Sequence, residues 1–219
     1  MIRQVLDILA PHYCYSCGEV GAVLCPSCNY DISMERSRVC VQCRRLLLSD
    51  KCYGCPRLFA GIYMVGPRER ALRQIVDATK FESLREAADV QSGLLMAALP
   101  RLPEVVVVPI PTIHPHVRRR GFDHTLRMGR HLAKGLDGRC ERLLVRRSVS
   151  VQHGATRAQR LQQAAKAFAV KGSVDASTNY LLVDDVTTTG ASLVEAAKCL
   201  RAAGARHVYA AVTTYQMRD

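Results

Sequence analysis

Several features that define common protein classes are missing from the sequence. No run approaches the ~18 consecutive apolar residues that a membrane-spanning helix needs, and the first residues lack the pattern of an export signal. Neither a Walker loop nor a G-x-G-x-x-G fingerprint occurs, which excludes the two common glycine-rich nucleotide-binding motifs. We therefore expect a cytoplasmic protein without a membrane span.

Aromatic and acidic residues are also scarce. Aromatic residues make up 5% of the chain, and 31 Lys and Arg stand against 19 Asp and Glu. Residues 116–171 alone hold fourteen basic and three acidic residues, a net charge of +11. Such a segment attracts polyanions, either pyrophosphate or a nucleic-acid backbone. Since Phe122 and Phe168 are its only aromatic residues, base stacking is not indicated, and a solvated helix face is the alternative.

Cysteine, in contrast, is abundant near the N-terminus. Eight of the ten cysteines form four C-x-x-C pairs: Cys14/Cys17, Cys25/Cys28, Cys40/Cys43 and Cys52/Cys55. A C-x-x-C pair places two thiolates on one tight turn, and two such turns supply the four ligands of a tetrahedral Zn²⁺ site. A disulfide scaffold is the competing interpretation, but the expected reducing compartment disfavours it.

The spacing of the pairs favours two sequential zinc ribbons. Seven residues separate Cys17 from Cys25 and eight separate Cys43 from Cys52, whereas eleven separate the two groups. An interleaved, cross-braced arrangement is the alternative, because spacing does not determine which pairs share an ion. A module this short buries too little apolar surface to fold alone, so we expect two structural Zn²⁺ ions to stabilise it.

Residues 180–205 predict a strand, a loop and a helix. Residues 180–183 are apolar without alternation, which is typical of a strand covered on both faces in a parallel sheet. Asp184 and Asp185 follow at the strand end, where open α/β sheets bind ligands and where paired acids can accept hydrogen bonds from vicinal hydroxyls. The next residues place hydroxyls and N–H groups at a helix N-terminus, which favours a phosphate: Thr187, Thr188, Thr189, Gly190, Ala191 and Ser192. A capped turn with solvated acids is the alternative.

The middle of the chain predicts further elements of an α/β domain. Residues 59–65 and the β-branched run 104–110 indicate strands, and residues 68–79 and 84–99 indicate amphipathic helices. Lys80, between these helices, is either a solvated cation or reaches a pocket. We expect a parallel sheet flanked by helices over residues 58–219, preceded by a small zinc-binding module over residues 1–57.

At the acid pair and the following loop, the chain resembles the phosphoribosyl-pyrophosphate (PRPP) motif of the type I phosphoribosyltransferases. The resemblance implies a fold of that type, with the two acids on the ribose hydroxyls and loop 188–192 on the 5′-phosphate. Thr187 stands where many members have an apolar residue. The resemblance also implies that Pro111 and Thr112, after strand 104–110, face the pyrophosphate, and that PRPP binds together with Mg²⁺.

Over nearly its whole length the chain resembles the ComF family of bacterial competence-associated proteins, which join an N-terminal zinc ribbon to a phosphoribosyltransferase domain. The family pattern of a strand, Pro-x-Pro and a basic Arg-Gly-Phe stretch is matched by residues 105–111 and by Arg118, Arg119, Arg120, Gly121 and Phe122. Asp123 and His124 then replace the usual Asn and Gln. Loop 149–160 resembles the flexible loop that closes over PRPP, and would bring Arg157 or Arg160 to the pyrophosphate.

The resemblance implies a PRPP-binding, phosphoribosyltransferase-like protein linked to DNA uptake and competence. Its acceptor substrate and any catalytic residue are not revealed by the sequence. The alternative is a non-catalytic protein that handles single-stranded DNA with the same fold. The candidates for contact with pyrophosphate or nucleic acid are Pro111, Thr112, Arg118, Arg119, Arg120, Arg157 and Arg160. Zinc ribbons are also common platforms for a protein partner.

Overall fold

The computed structural model describes residues 11–35, 39–41, 43, 45, 47, 52, 54, 55, 58–147 and 167–216. Helices and strands occur along the chain in the order α1 (Pro26–Met34), β1 (Gly61–Pro67), α2 (Arg70–Phe81), α3 (Arg85–Ala98), β2 (Val105–Pro109), α4 (His114–Arg120), α5 (His124–Gly135), β3 (Arg139–Cys140), β4 (Leu144–Arg146), β5 (Phe168–Val170), β6 (Asn179–Thr187), α6 (Ala191–Ala202) and β7 (His207–Tyr215). Elements of both types alternate after α1, as in other α/β domains.

Five strands of the described chain form a parallel sheet in the order β1, β7, β6, β2, β3. Strand β6 is central, and it is longer than β2. Its pairing with β2 ends at Val183 opposite Pro109, whereas its pairing with β7 continues to Thr187 opposite Tyr215. The last four residues of β6 therefore extend past one neighbour at the carboxyl edge of the sheet. Strands β4 and β5 form a separate antiparallel pair.

Both faces of the sheet are covered. On one face Leu181 of β6 packs in a core with residues of α2, α3 and α5; on the other, Leu182 packs in a core with α6 and the β4–β5 pair. Both leucines are fully buried. This two-sided burial explains why the sequence of β6 is apolar without alternation, and it confirms the predicted fold class of a parallel sheet flanked by helices.

The cysteine-rich segment packs on both of these cores. Cys14 and Cys25 join the core beside α2 and α3, whereas Cys40 and Val41 join the core beside α6. The segment thus shares its apolar contacts with the α/β domain. The division at residues 57 and 58 stays a prediction.

The predicted elements agree with the structure to within a few residues, with one informative difference. Asp184 and Asp185 were expected at a junction between strand and loop, but they belong to β6 and pair with β7. No helix in the described part of the chain is long and apolar enough to cross a membrane.

Candidate functional site

Within the described residues, cysteine side chains gather in two groups of four. One group is Cys14, Cys17, Cys25 and Cys28, and the other is Cys40, Cys43, Cys52 and Cys55. In each group the Sγ atoms all lie within 4.8 Å of one another. The predicted sequential pairing is therefore confirmed over the interleaved one. All ten cysteines are free thiols, which contradicts the disulfide scaffold.

The geometry of both groups fits a tetrahedral metal ion. Sulfur atoms ~2.3 Å from a tetrahedral Zn²⁺ ion lie about 3.8 Å apart. The Sγ distances are 3.7 Å for Cys17 to Cys25 and 3.7 Å for Cys43 to Cys52. Burial raises the pKa of the Cys14 thiol, but backbone N–H groups, including that of Cys25 at 3.4 Å, outweigh it and lower the pKa to about 6. The surroundings of Cys14 thus favour the thiolate that a metal binds, whereas the pKa of the neighbouring Cys25 thiol is raised.

The two acids at the end of β6 have different surroundings. Asp184 is half-buried, and its Oδ1 accepts the backbone N–H of Asp185 at 2.9 Å. Asp185 is 3% exposed, and its Oδ2 lies 3.0 Å from the Lys80 ammonium and 2.9 Å from Nε2 of His124. Lys80, at the end of α2, therefore reaches the acid pair rather than standing in solvent.

These surroundings separate the pKa values of the two carboxyl groups. Burial and the adjacent Asp185 carboxylate raise the pKa of Asp184 to about 8. Burial alone would raise the pKa of Asp185 as well, but the contact with His124 and the charge of Lys80 hold it well below its ordinary range. The pKa values of the two adjacent carboxyl groups are thus shifted in opposite directions.

The loop after β6 leads directly into α6. Thr188, Thr189, Ala191 and Ser192 are exposed, whereas Thr187 is buried at the end of the strand. Thr189 Oγ1 accepts the N–H of Ala191 at 3.3 Å. The start of a twelve-residue helix therefore follows the acid pair closely in the chain, and its first two residues, Ala191 and Ser192, are exposed.

Gly190 caps this helix in a left-handed conformation, with φ of 76°, which favours glycine. Its Cα lies against the backbone of Val41, so that a Cβ atom at this position would stand 2.0 Å from the Val41 carbonyl oxygen. The backbone next to the second cysteine group therefore packs directly against the loop between β6 and α6.

Pro111 and Thr112 lie in the connection between β2 and α4, beside the carboxyl end of β2. Asp123 anchors this connection through its Oδ1 atom. Its Oδ1 caps α5 by accepting the N–H of Leu126 at 3.2 Å, and it also accepts the hydroxyl of Thr125 at 2.9 Å. Thr125 in turn lies 3.2 Å from the Thr112 hydroxyl.

A cavity of about 840 Å³ opens next to this connection. Its wall is apolar and its rim is basic, with Arg142, Arg146, Arg147 and Lys171 beside Pro111 and Thr112. Arg146 is held in place, because its Nε donates to the Pro111 carbonyl at 2.7 Å and its guanidinium lies 5.0 Å from the Phe168 ring centroid. All four basic residues belong to the charged segment 116–171, but no local sequence pattern distinguishes them from its other basic residues.

The three consecutive arginines on α4 point in different directions. Arg118 is exposed, Arg119 stacks 5.9 Å from the Phe81 ring centroid, and Arg120 is buried with 8% exposure. Arg120 therefore does not share a surface with its neighbours. Arg157 and Arg160 lie outside the described residues. The ligand-binding roles of all these side chains stay predictions.

Together these features define a class of protein: a parallel α/β domain, whose central strand ends in paired acids and a threonine-rich loop, joined to two four-cysteine sites. No protein-family profile matches the chain. The chain is 26% identical over 190 residues to competence protein ComFC of Streptococcus pneumoniae (strain ATCC BAA-255 / R6), and the match covers 84% of each chain. The predicted resemblance to the ComF family is thereby confirmed.

Among solved structures, a similar one is titled as the structure of the allosteric regulatory enzyme of purine biosynthesis. The identity is 21% and the TM-score is 0.42, over 57% of this chain. This chain spans about a quarter of that protein, since the match covers 25% of it.

The raised pKa of Asp184 predicts how stability depends on pH. An unfolded Asp titrates near ~3.9, so between about pH 4 and pH 8 the folded chain keeps a proton that the unfolded chain has released. This contribution lowers stability as the pH rises. Asp184→Asn removes it, so the Tm of the variant should exceed that of the wild type by a margin that grows from about pH 6 to about pH 8.5.

Calorimetric melting curves at the two pH values measure this margin. Asp137→Asn is the matched control, because Asp137 is exposed and its φ of 52° is one that Asn tolerates well. The control should melt with the wild type at both pH values. An equal margin for Asp184→Asn at both would contradict the raised pKa.

Proposed function

We propose that the chain binds PRPP together with Mg²⁺ at the carboxyl end of β6. The observation that carries this proposal is the acid pair near the end of β6, with Asp185 held by Lys80 and His124, followed directly by the exposed first residues of α6. Vicinal ribose hydroxyls donate and accept hydrogen bonds, which suits two adjacent carboxyl groups. Thr187, Thr188, Thr189, Gly190, Ala191 and Ser192 would bind the 5′-phosphate.

The reaction that fits this arrangement is displacement of pyrophosphate from the anomeric carbon of PRPP by an acceptor nucleophile. The side chains bind and orient the sugar, and no protein nucleophile is required. Pro111 and Thr112 would lie beside the leaving pyrophosphate, where the basic side chains of the cavity rim stabilise its charge. Mg²⁺, when bound, neutralises part of the pyrophosphate charge.

We also propose that each four-cysteine group holds one structural Zn²⁺ ion. Four thiolates with tetrahedral spacing and no open position match a closed site that stabilises the fold. Free thiols throughout the chain support a reducing compartment such as the cytoplasm. The cysteine-rich module, residues 1–57, would then fold on its metals against the phosphoribosyltransferase-like domain, residues 58–219, and it could present a surface to a protein partner.

A second candidate function, contact with single-stranded DNA, is supported by the basic rim of the cavity. Arg146 and Arg147 are both exposed there, close to Lys171. Phosphate contacts of this kind bind nucleic acid without sequence preference. The ComFC relative is named as a competence protein, which is compatible with such a role.

The two cysteine groups predict the metal content. The purified protein should contain about two Zn²⁺ ions per chain, because eight thiolates form two closed sites. Cys28→Ser should lose one ion, whereas Cys140→Ser, outside both groups, should keep both. Elemental analysis with a protein assay measures the ratio, and a single ion in the wild type would exclude the double ribbon.

PRPP with Mg²⁺ should raise the Tm of the zinc-loaded protein, because a ligand that binds only the folded state stabilises it by mass action. The double variant Asp184→Asn, Asp185→Asn should lose this shift, since it removes the acceptor charge on the ribose hydroxyls with little change in volume. Asp137→Asn serves as the control and should keep the wild-type shift. A double variant that responds to PRPP like the wild type would show that the acids do not bind the ribose.

Single-stranded DNA should bind weakly and with a strong salt dependence. Arg146→Ala with Arg147→Ala should reduce the slope of log K against log salt by about 1.4, because each phosphate contact on a single strand contributes ~0.7. Arg101→Ala with Arg206→Ala, both exposed and outside the basic segment 116–171, is the matched pair and should keep the wild-type slope. Fluorescence anisotropy with a labelled oligonucleotide measures the slopes. An affinity that does not change with salt would contradict this second function.

A further inference from the structure

A buried polar cluster lies directly behind the acid pair. It contains Asp185 of β6, His124 of α5, Arg120 of α4 and Lys80 of α2. Asp185 and His124 are each 3% exposed and Arg120 is 8% exposed. Buried polar groups are costly unless they are paired, so these four side chains depend on one another. The reaction described above uses only Asp185 among them.

The contacts of Arg120 determine the protonation of His124. The guanidinium Nη1 lies 2.6 Å from Nδ1 of the imidazole. A guanidinium has donors and no acceptor, so Nδ1 must offer a lone pair. The ring is then neutral, with its proton on Nε2, and Nε2 is the atom that lies 2.9 Å from the Asp185 carboxylate. The imidazole thus lies between the Arg120 guanidinium and the Asp185 carboxylate.

Arg120 is itself held by the backbone, which makes this arrangement rigid. Its Nε donates to the Lys80 carbonyl at 2.9 Å, and the Lys80 ammonium returns to Asp185. The imidazole of His124 is therefore in contact with Arg120 and Asp185, and the Lys80 ammonium reaches the same Asp185 oxygen.

We propose that His124 is a positioning residue that orients the Asp185 carboxylate for the ribose hydroxyls. This inference rests on the proposed PRPP site and deepens it. The ring lies between Arg120 and Asp185, so that the Arg120 contact on one side sets where the imidazole meets the carboxylate on the other.

Glutamine is the informative replacement at this position. Its amide can donate an N–H to Asp185 and accept from Arg120 through its oxygen. His124→Gln should therefore keep the position of Asp185, whereas His124→Leu should lose both the contact and the position.

Calorimetric titration of the three zinc-loaded proteins with PRPP and Mg²⁺ at about pH 7.5 tests the proposal. His124→Gln should bind within about threefold of the wild type, whereas His124→Leu should bind about tenfold more weakly or worse, with its Zn²⁺ content unchanged. Wild-type affinity in His124→Leu, or an equal loss of affinity in His124→Gln and His124→Leu, would overturn the proposal.

A second measurement separates this proposal from the proposed PRPP site. Long-range ¹H–¹⁵N spectra of the imidazoles report the tautomer of each ring without any ligand, and His124→Gln identifies the signals of His124. We expect a neutral ring protonated on Nε2 at about pH 7.5, and a shifted signal in Asp185→Asn. A ring protonated on Nδ1 would overturn the proposal whether or not PRPP binds. A wild type that shows the expected tautomer but no response to PRPP would overturn the binding site instead.

Discussion

Two adjacent carboxyl groups at the end of a buried central strand set the main physical constraint on this structure. Ionising two neighbouring carboxyl groups together costs free energy when they are shielded from water. The two acids of this chain accordingly have different surroundings. Asp185 is compensated by Lys80 and His124, while Asp184 keeps its proton to a higher pH. Helices α2, α4 and α5 each bring one side chain to this edge of the sheet: Lys80, Arg120 and His124. The arrangement of the site therefore depends on the groups that compensate Asp185 as well as on the loop after β6.

The parts that could be predicted from the sequence are those with local signals. The apolar run of β6 predicted a strand covered on both faces, and cysteine spacing predicted the two groups of four. The contacts around Asp185 have no such signal, because Lys80 and His124 are brought there from distant parts of the chain by packing. The arginines on α4 show the same limit. Three consecutive arginines on a helix face different sides. Arg120 is buried because of the way in which that helix packs, which the sequence run does not indicate.

The cysteine-rich segment is integrated into the α/β domain instead of standing apart from it. Its first half contributes to the core on one side of the sheet, and its second half contributes to the core on the other. A small module with few apolar residues gains stability in this way from a larger neighbour, in addition to any metal. The sheet gains cover on both faces in return.

The contact between Val41 and Gly190 connects the cysteine-rich segment to the loop after β6. Val41 directly follows Cys40 of the second cysteine group, and Gly190 caps the helix that faces the proposed phosphate. Two binding events that order opposite sides of one backbone contact are linked, and such linkage is reciprocal. If a metal at the second cysteine group raises the affinity of the loop for its anion, the anion raises the affinity of that cysteine group for the metal by the same free energy.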